Sequence, residues 1–88
     1  MMSTKISEAL ARRLDEVAST EPQREIPVIV TFRSGADLAA LEQKGLKIQR
    51  TFTNIPAVAG TIPAPAVNAL AALEQVETIE YDERAWAL

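Results

Sequence analysis

The residues best able to do chemistry in this chain are two carboxylates near its C-terminal end. Glu80 and Asp82 lie two positions apart in a segment, 76–82, that reads as a strand. Residues two apart on a strand share a face, so both carboxylates face one way while Ile79 and Tyr81 face the other. The chain contains neither histidine nor cysteine. Catalysis would therefore need carboxylates or lysine alone, because a Ser-His-Asp triad, a thiolate nucleophile and the usual zinc ligands are excluded.

Composition indicates one small domain. The chain has 88 residues, of which 48% are apolar and 24% charged, as is ordinary for a soluble globular protein. A net charge of -3 argues against a phosphate-binding surface, and no apolar run is long enough to span a bilayer. We therefore expect neither nucleic acid nor a membrane as a partner. No secretory signal precedes the first polar segment, which predicts a cytoplasmic protein as given, or an extracellular one if the chain is cut from a secreted precursor.

Apolar spacing predicts an amphipathic helix at the N-terminus. Its stripe recurs at intervals of four, four and three residues, with charged residues between, and Ser3 or Thr4 is the expected N-cap. A polar stretch around Pro22 then reads as a linker. We favour added stability as the role of this helix over a separate functional arm. The stripe consists of Ile6, Leu10, Leu14 and Val17.

The rest of the chain alternates between strand and helix patterns. Strands are predicted over 26–32, 46–52, 57–62 and 76–82, and helices over 36–44 and around Val67, Leu70 and Leu73. Gly45 is the expected left-handed residue after the first of these helices, and Gly60 suggests a close approach within the third strand. The order strand, helix, strand, strand, helix, strand predicts an α+β, ferredoxin-like β-α-β-β-α-β fold. Two helices then lie on one face of a four-stranded antiparallel sheet, with the N-terminal helix as an addition.

One segment breaks its own alternation. Between Leu46 and Phe52, we expect Leu46, Ile48 and Phe52 to share one side of the strand. Arg50 falls on that apolar side and interrupts it. An arginine stem lying over apolar surface on an edge strand explains the position without a function, so we assign Arg50 no role.

The C-terminal segment resembles the end of subtilisin propeptides. Residues 76–88 combine a strand bearing acidic residues two apart with a short tail of small and hydrophobic residues. Upstream, 27–32 looks like the first strand of that family, 52–60 like its hairpin and 67–76 like its last helix. The resemblance covers 26–88. It divides the chain into an N-terminal helix and linker over 1–25, an inhibitor-like domain over 26–83 and a C-terminal inhibitory tail over 84–88.

The resemblance implies an inhibitor of subtilisin-like serine proteases that is monomeric when free. In that family, the matching carboxylates, Glu80 and Asp82 here, cap the N-termini of two protease helices. The tail runs through the substrate groove as an added strand and inhibits as a bound product. The tail positions that match the groove are Ala85 in the fourth pocket, Trp86 pointing largely outward, Ala87 in the narrow neighbouring site and Leu88 in the primary specificity pocket.

Other interpretations stay open at this point. Glu80 and Asp82 could be solvated residues on an exposed strand, and Trp86 could fold back onto the domain. The chain could equally be a propeptide that acts as an intramolecular chaperone of its own protease.

From other classes, the open sheet face suits a small-molecule regulatory domain that dimerises through its sheet. An acylphosphatase-like enzyme would want a phosphate loop at Arg33-Ser34-Gly35, which lacks the longer glycine-rich stretch. We therefore expect a protein that is not an enzyme and that has no catalytic residue, cofactor or metal ion.

Overall fold

A computed structural model describes residues 5–21 and 23–82 of the chain. These residues form three helices and four strands, with one 3₁₀ turn, Ala64–Ala66, directly before the last helix. In chain order the elements are α1 (Glu8–Thr20), β1 (Glu25–Phe32), α2 (Leu38–Gln43), β2 (Lys47–Thr51), β3 (Ala57–Pro63), α3 (Val67–Ala71) and β4 (Val76–Tyr81).

The β-branched run of β1 forms the centre of the sheet. Its even-numbered residues, from Ile26 to Phe32, are buried, whereas Pro27, Ile29 and Thr31 are half-buried on the opposite face. The four strands lie in the order β2-β3-β1-β4, and every neighbouring pair is antiparallel. The ferredoxin-like α+β fold predicted from the sequence is therefore confirmed.

All three helices contribute to a single core on one face of the sheet. Leu10 and Val17 of α1, Leu41 of α2, and Val67 and Leu70 of α3 are buried in the same cluster as the even-numbered residues of β1. The N-terminal helix therefore belongs to the domain core as predicted. Each fully buried large aliphatic side chain contributes roughly 1.5–3 kcal/mol of hydrophobic free energy before conformational entropy is subtracted.

The N-terminal helix begins later than the apolar stripe suggests. Ser7 is its N-cap, and its hydroxyl accepts a hydrogen bond from the Leu10 amide at 3.3 Å. The expectation of Ser3 or Thr4 as the cap is wrong, because Ile6 is not helical. Ile6 instead forms a parallel bridge with Ile79 on the outer edge of β4. The helix can begin only after the chain has left that edge.

The segment Lys5–Ser7 covers part of the outer edge of β4. The Ile79 amide donates to the Lys5 carbonyl at 2.7 Å, and the Ser7 amide donates to the Ile79 carbonyl at 3.1 Å. The Lys5 ammonium also donates to the carbonyls of Ala71 and Leu73, at 3.0 Å each, beyond the C-terminal end of α3. An ammonium is favourable near the last carbonyls of a helix, and the Leu73 carbonyl also accepts from the Val76 amide at 3.1 Å.

A β-bulge in β2 changes which side chains face the helices. Ile48 pairs with Gly60 and Arg50 pairs with Ala59, so Gln49 is an extra residue opposite the continuous strand β3. Gly60 is required at this point, because a Cβ atom there would collide with the backbone carbonyl of Lys47. The close approach expected at Gly60 is confirmed, and the neighbour is the backbone of β2.

Gly60→Ala is expected to destabilise the protein by about 1–3 kcal/mol, the usual cost of forcing extra volume into a tightly packed site. The free energy of unfolding in urea measures this change. Thr61→Ala is the control, since Thr61 is the next residue along β3 and is half-buried on the other face. We expect that control to change stability by less than about 1 kcal/mol. Unchanged stability in Gly60→Ala would mean that the Lys47 carbonyl moves aside without cost.

Candidate functional site

The face of the sheet that carries no helix is the largest candidate site among the described residues. Strand pairing arranges its side chains in three rows, each running from β2 through β3 and β1 to β4. We call this surface the open face. Its rows are Lys47, Thr61, Pro27 and Asp82; Arg50, Ala59, Ile29 and Glu80; and Phe52, Ala57, Thr31 and Thr78.

Glu80 lies on the open face, as the sequence predicted. It pairs with Ile29 in the register of β1 and β4, and its side chain is exposed. Among residues 5–21 and 23–82, no side chain forms an ion pair or hydrogen bond with the Glu80 carboxylate. This carboxylate can therefore accept hydrogen bonds from a partner without first giving up a bond to the described part of the chain.

Asp82 continues the strand by one residue. Its amide donates to the Pro27 carbonyl at 3.0 Å, which extends the β1–β4 pairing past Tyr81 and places Asp82 on the same face as Glu80. Asp82 is half-buried, in contrast to the exposed Glu80. The structure thus brings the two predicted carboxylates to one edge of the open face, with Glu80 the more accessible. The predicted tail residues Ala85, Trp86, Ala87 and Leu88 lie outside the described residues.

Two residues of the open face were missed by the sequence analysis. The extra residue in β2 turns Phe52 away from Leu46 and Ile48, so the expectation that the three share a side is wrong. The Phe52 amide bonds the Ala57 carbonyl at 3.0 Å, and the guanidinium carbon of Arg50 lies 5.2 Å from the centre of the Phe52 ring. The signal was the misplaced Arg50 itself, because a charged residue on the apolar side of an alternating strand is what a bulge produces.

Charge on the open face is separated by strand. Within the three rows, basic residues lie on β2 and acidic residues on β4, with uncharged side chains between them, and Glu25 at the start of β1 adds one carboxylate at the margin of the face. Lys47 forms an ion pair with Glu25 of β1 at 2.8 Å. Within the described ranges, no carboxylate lies within 4 Å of the Arg50 guanidinium, whose carbon lies over the Phe52 ring. Arg50 and Glu80 thus form no ion pair with residues 5–21 and 23–82, and they occupy opposite ends of one row.

The turn after β1 offers little to a phosphate. The amides of Arg33 and Ala36 donate to the carbonyls of Gln75 and Arg33, at 2.8 and 3.0 Å. The Asp37 amide donates to the side-chain oxygen of Gln75 at 3.3 Å. An anion cradle needs several free amides that converge on one point, and three amides of this turn are already used.

Neither a family model nor a curated protein matches the sequence. In the described part of the chain, no cluster of three or more acidic residues is suited to hold a metal ion. No helix there has the length and apolar character to cross a membrane.

Substitutions at two neighbouring residues of β4 should distinguish a side chain that stabilises the fold from one that is available to a partner. Ile79→Ala is expected to cost about 2–5 kcal/mol of unfolding free energy, because Ile79 is fully buried in the core. Glu80→Gln is expected to change it by less than about 0.5 kcal/mol, since the carboxylate is exposed. Urea denaturation of both variants tests the contrast. A loss above about 1 kcal/mol in Glu80→Gln would mean that the carboxylate has a structural role.

Proposed function

We propose that this protein inhibits subtilisin-like serine proteases. The open face binds the protease surface, and the C-terminal tail lies in the substrate groove as a product-like blocker. The proposal rests on the resemblance of 26–88 to subtilisin propeptides together with the ferredoxin-like fold. A close alternative is a propeptide that helps its own protease to fold, and both versions use the same contacts.

The observation that carries the proposal is the position of Glu80. An exposed carboxylate that forms no ion pair with the described residues lies on the helix-free face of an edge strand, and the tail follows that strand directly in the sequence. A face contact and a tail contact can therefore be made to one partner by residues that follow each other along the chain. If Glu80 were only a solvated surface residue, its position beside the open face and before the tail would have no purpose.

Glu80 suits the N-terminus of a protease helix. The first amides of a helix lack partners within the helix, and its dipole favours negative charge there. Because Glu80 is exposed and forms no ion pair or hydrogen bond with residues 5–21 and 23–82, the contact breaks no interaction within that part of the chain. Asp82 is the second proposed cap, and its half-buried position assigns it the smaller share.

In the groove, the tail is proposed to bind as an added strand, with backbone hydrogen bonds giving affinity and side chains giving selection. Leu88 fills the primary specificity pocket, Ala87 the narrow adjacent site and Ala85 the fourth pocket, while Trp86 points largely outward. Residues 85–88 would thus occupy the sites that the acyl half of a cleaved peptide occupies. The groove is then blocked as it is by a bound product, and substrate cannot enter.

The buried N-terminal helix supports an inhibitor that is folded before it meets the protease. Leu10 and Val17 are at most 2% exposed, and the segment Lys5–Ser7 is bonded to the edge of the strand that precedes the tail. Ordering a chain on binding reduces affinity, so a preformed face and a bonded β4 reduce that cost. This favours the free-standing inhibitor over the propeptide.

Deleting residues 85–88 should weaken inhibition at least tenfold, which is about 1.4 kcal/mol, because the groove contacts are lost while the open face is kept. Titration of a subtilisin-type protease with the full and the shortened chain, followed by hydrolysis of a small substrate, measures this. No inhibition by the full chain would contradict the proposal and favour the small-molecule regulatory domain. Equal inhibition by both chains would remove the tail from the mechanism.

Glu80→Gln should weaken inhibition about tenfold by removing one charge-assisted contact, on the order of 1.5 kcal/mol. Glu42→Gln is the matched control, since Glu42 is exposed on α2, on the helical side of the sheet. It removes the same charge and should leave inhibition unchanged. An equal loss of inhibition in both variants would mean that Glu80 acts only through the net charge of the protein.

A further inference from the structure

Resting on the proposed function, we propose that Arg50, stacked on Phe52, is a second anchor of the open face and binds a carboxylate on the protease surface. Together with Glu80 it sets the orientation in which the protein binds. The argument uses the row Arg50, Ala59, Ile29 and Glu80, which we call the charged row.

The charged row has a basic end and an acidic end that do not neutralise each other. Arg50 pairs with Ala59, Ala59 with Ile29, and Ile29 with Glu80, so the row crosses all four strands. Three strand spacings separate its ends by about 14 Å. That exceeds the screening length of about 8 Å at physiological salt, so the two charges do not neutralise each other in the free protein.

A partner that covers the charged row must replace the water around these charges. A buried charge without a partner is costly, so the surface over Arg50 has to supply negative charge when the surface over Glu80 supplies positive charge. The protease is therefore expected to present a carboxylate about 14 Å from the helix N-terminus that receives Glu80. Lys47, the other basic residue of β2 on this face, already has a carboxylate partner, because it forms an ion pair with Glu25.

The local structure prepares Arg50 for such a contact. Its guanidinium carbon lies 5.2 Å from the Phe52 ring centre, and stacking on a ring leaves the N–H edges of a guanidinium available to a carboxylate. The β3 residues beside the pair, Ala57 and Ala59, are small, so no large side chain of β3 stands between the pair and a partner. Without the bulge at Gln49, Arg50 and Phe52 would both lie on the opposite face, which carries the helices.

The open face is too small to hold a partner by itself. Four strands and five residues measure about 19 by 17 Å, or roughly 320 Å². A stable interface buries about 800 Å² on each partner. A second contact is therefore needed, and in the proposed function the tail supplies it to a protease. The observations therefore favour the protease as the occupant.

The test compares four full-length variants in the same protease titration. Arg50→Glu should weaken inhibition by at least 30-fold and Arg50→Ala by about tenfold, because the partner carboxylate is left unpaired or repelled. Arg12→Glu, an exposed position on α1, should change it less than twofold. The swapped variant Arg50→Glu with Glu80→Arg keeps the net charge and reverses the charged row. It should inhibit no better than Arg50→Glu alone, and thermal unfolding confirms that each variant is folded.

Each outcome decides between the proposals. Full inhibition by Arg50→Glu, or recovery in the swapped variant, overturns the second anchor and leaves the proposed inhibitor standing. No inhibition by the unchanged chain overturns both. A dimer of the free chain in sedimentation that Arg50→Glu dissociates assigns the charged row to a second copy and overturns the inference.

Discussion

The close approach of the Lys47 carbonyl to Gly60 is the constraint on which the open face depends. A side chain at position 60 would push the two strands apart, so only glycine allows the extra residue in β2 to be absorbed there. That extra residue reverses the alternation, and Arg50 and Phe52 come to lie on the helix-free face. A backbone contact on the core side thus determines which chemistry the opposite face presents. Gly60 therefore affects both the packing of the strands and the set of side chains on the open face.

The one-sided core explains why this face is open. Three helices cover the even-numbered residues of β1, and they leave its other face with Pro27, Ile29 and Thr31 half-buried. The remaining surface there is mostly small and β-branched, which suits strands but provides no apolar patch large enough to require burial. Its distinguishing feature is the arrangement of charge across the strands. For the partner we propose, selection would therefore depend on electrostatic complementarity more than on apolar area.

Most of the fold could be predicted because its signals are local. The β-branched run of β1, Gly45 after α2 and the alternation in β4 each indicate one element, and their order leaves few topologies. Phe52 was misplaced because counting by two assumes a regular strand, and one inserted residue inverts every later position. Ser7 was missed as a cap because the pairing of Ile6 with Ile79 is a contact across 73 residues of sequence. Neither feature follows from neighbouring residues alone.

The proposed division of binding between face and tail is consistent with size. A face of a few hundred square ångströms gives weak affinity, and a tail of a few residues gives little more by itself. In the proposed inhibitor the two are joined by a short segment and would act at high effective concentration, so the second contact would form almost without translational cost. This benefit requires that the start of the tail be held in place. The Asp82 amide, bonded to Pro27 one residue beyond β4, and Lys5–Ser7, bonded to Ile79, both hold the strand from which the tail departs.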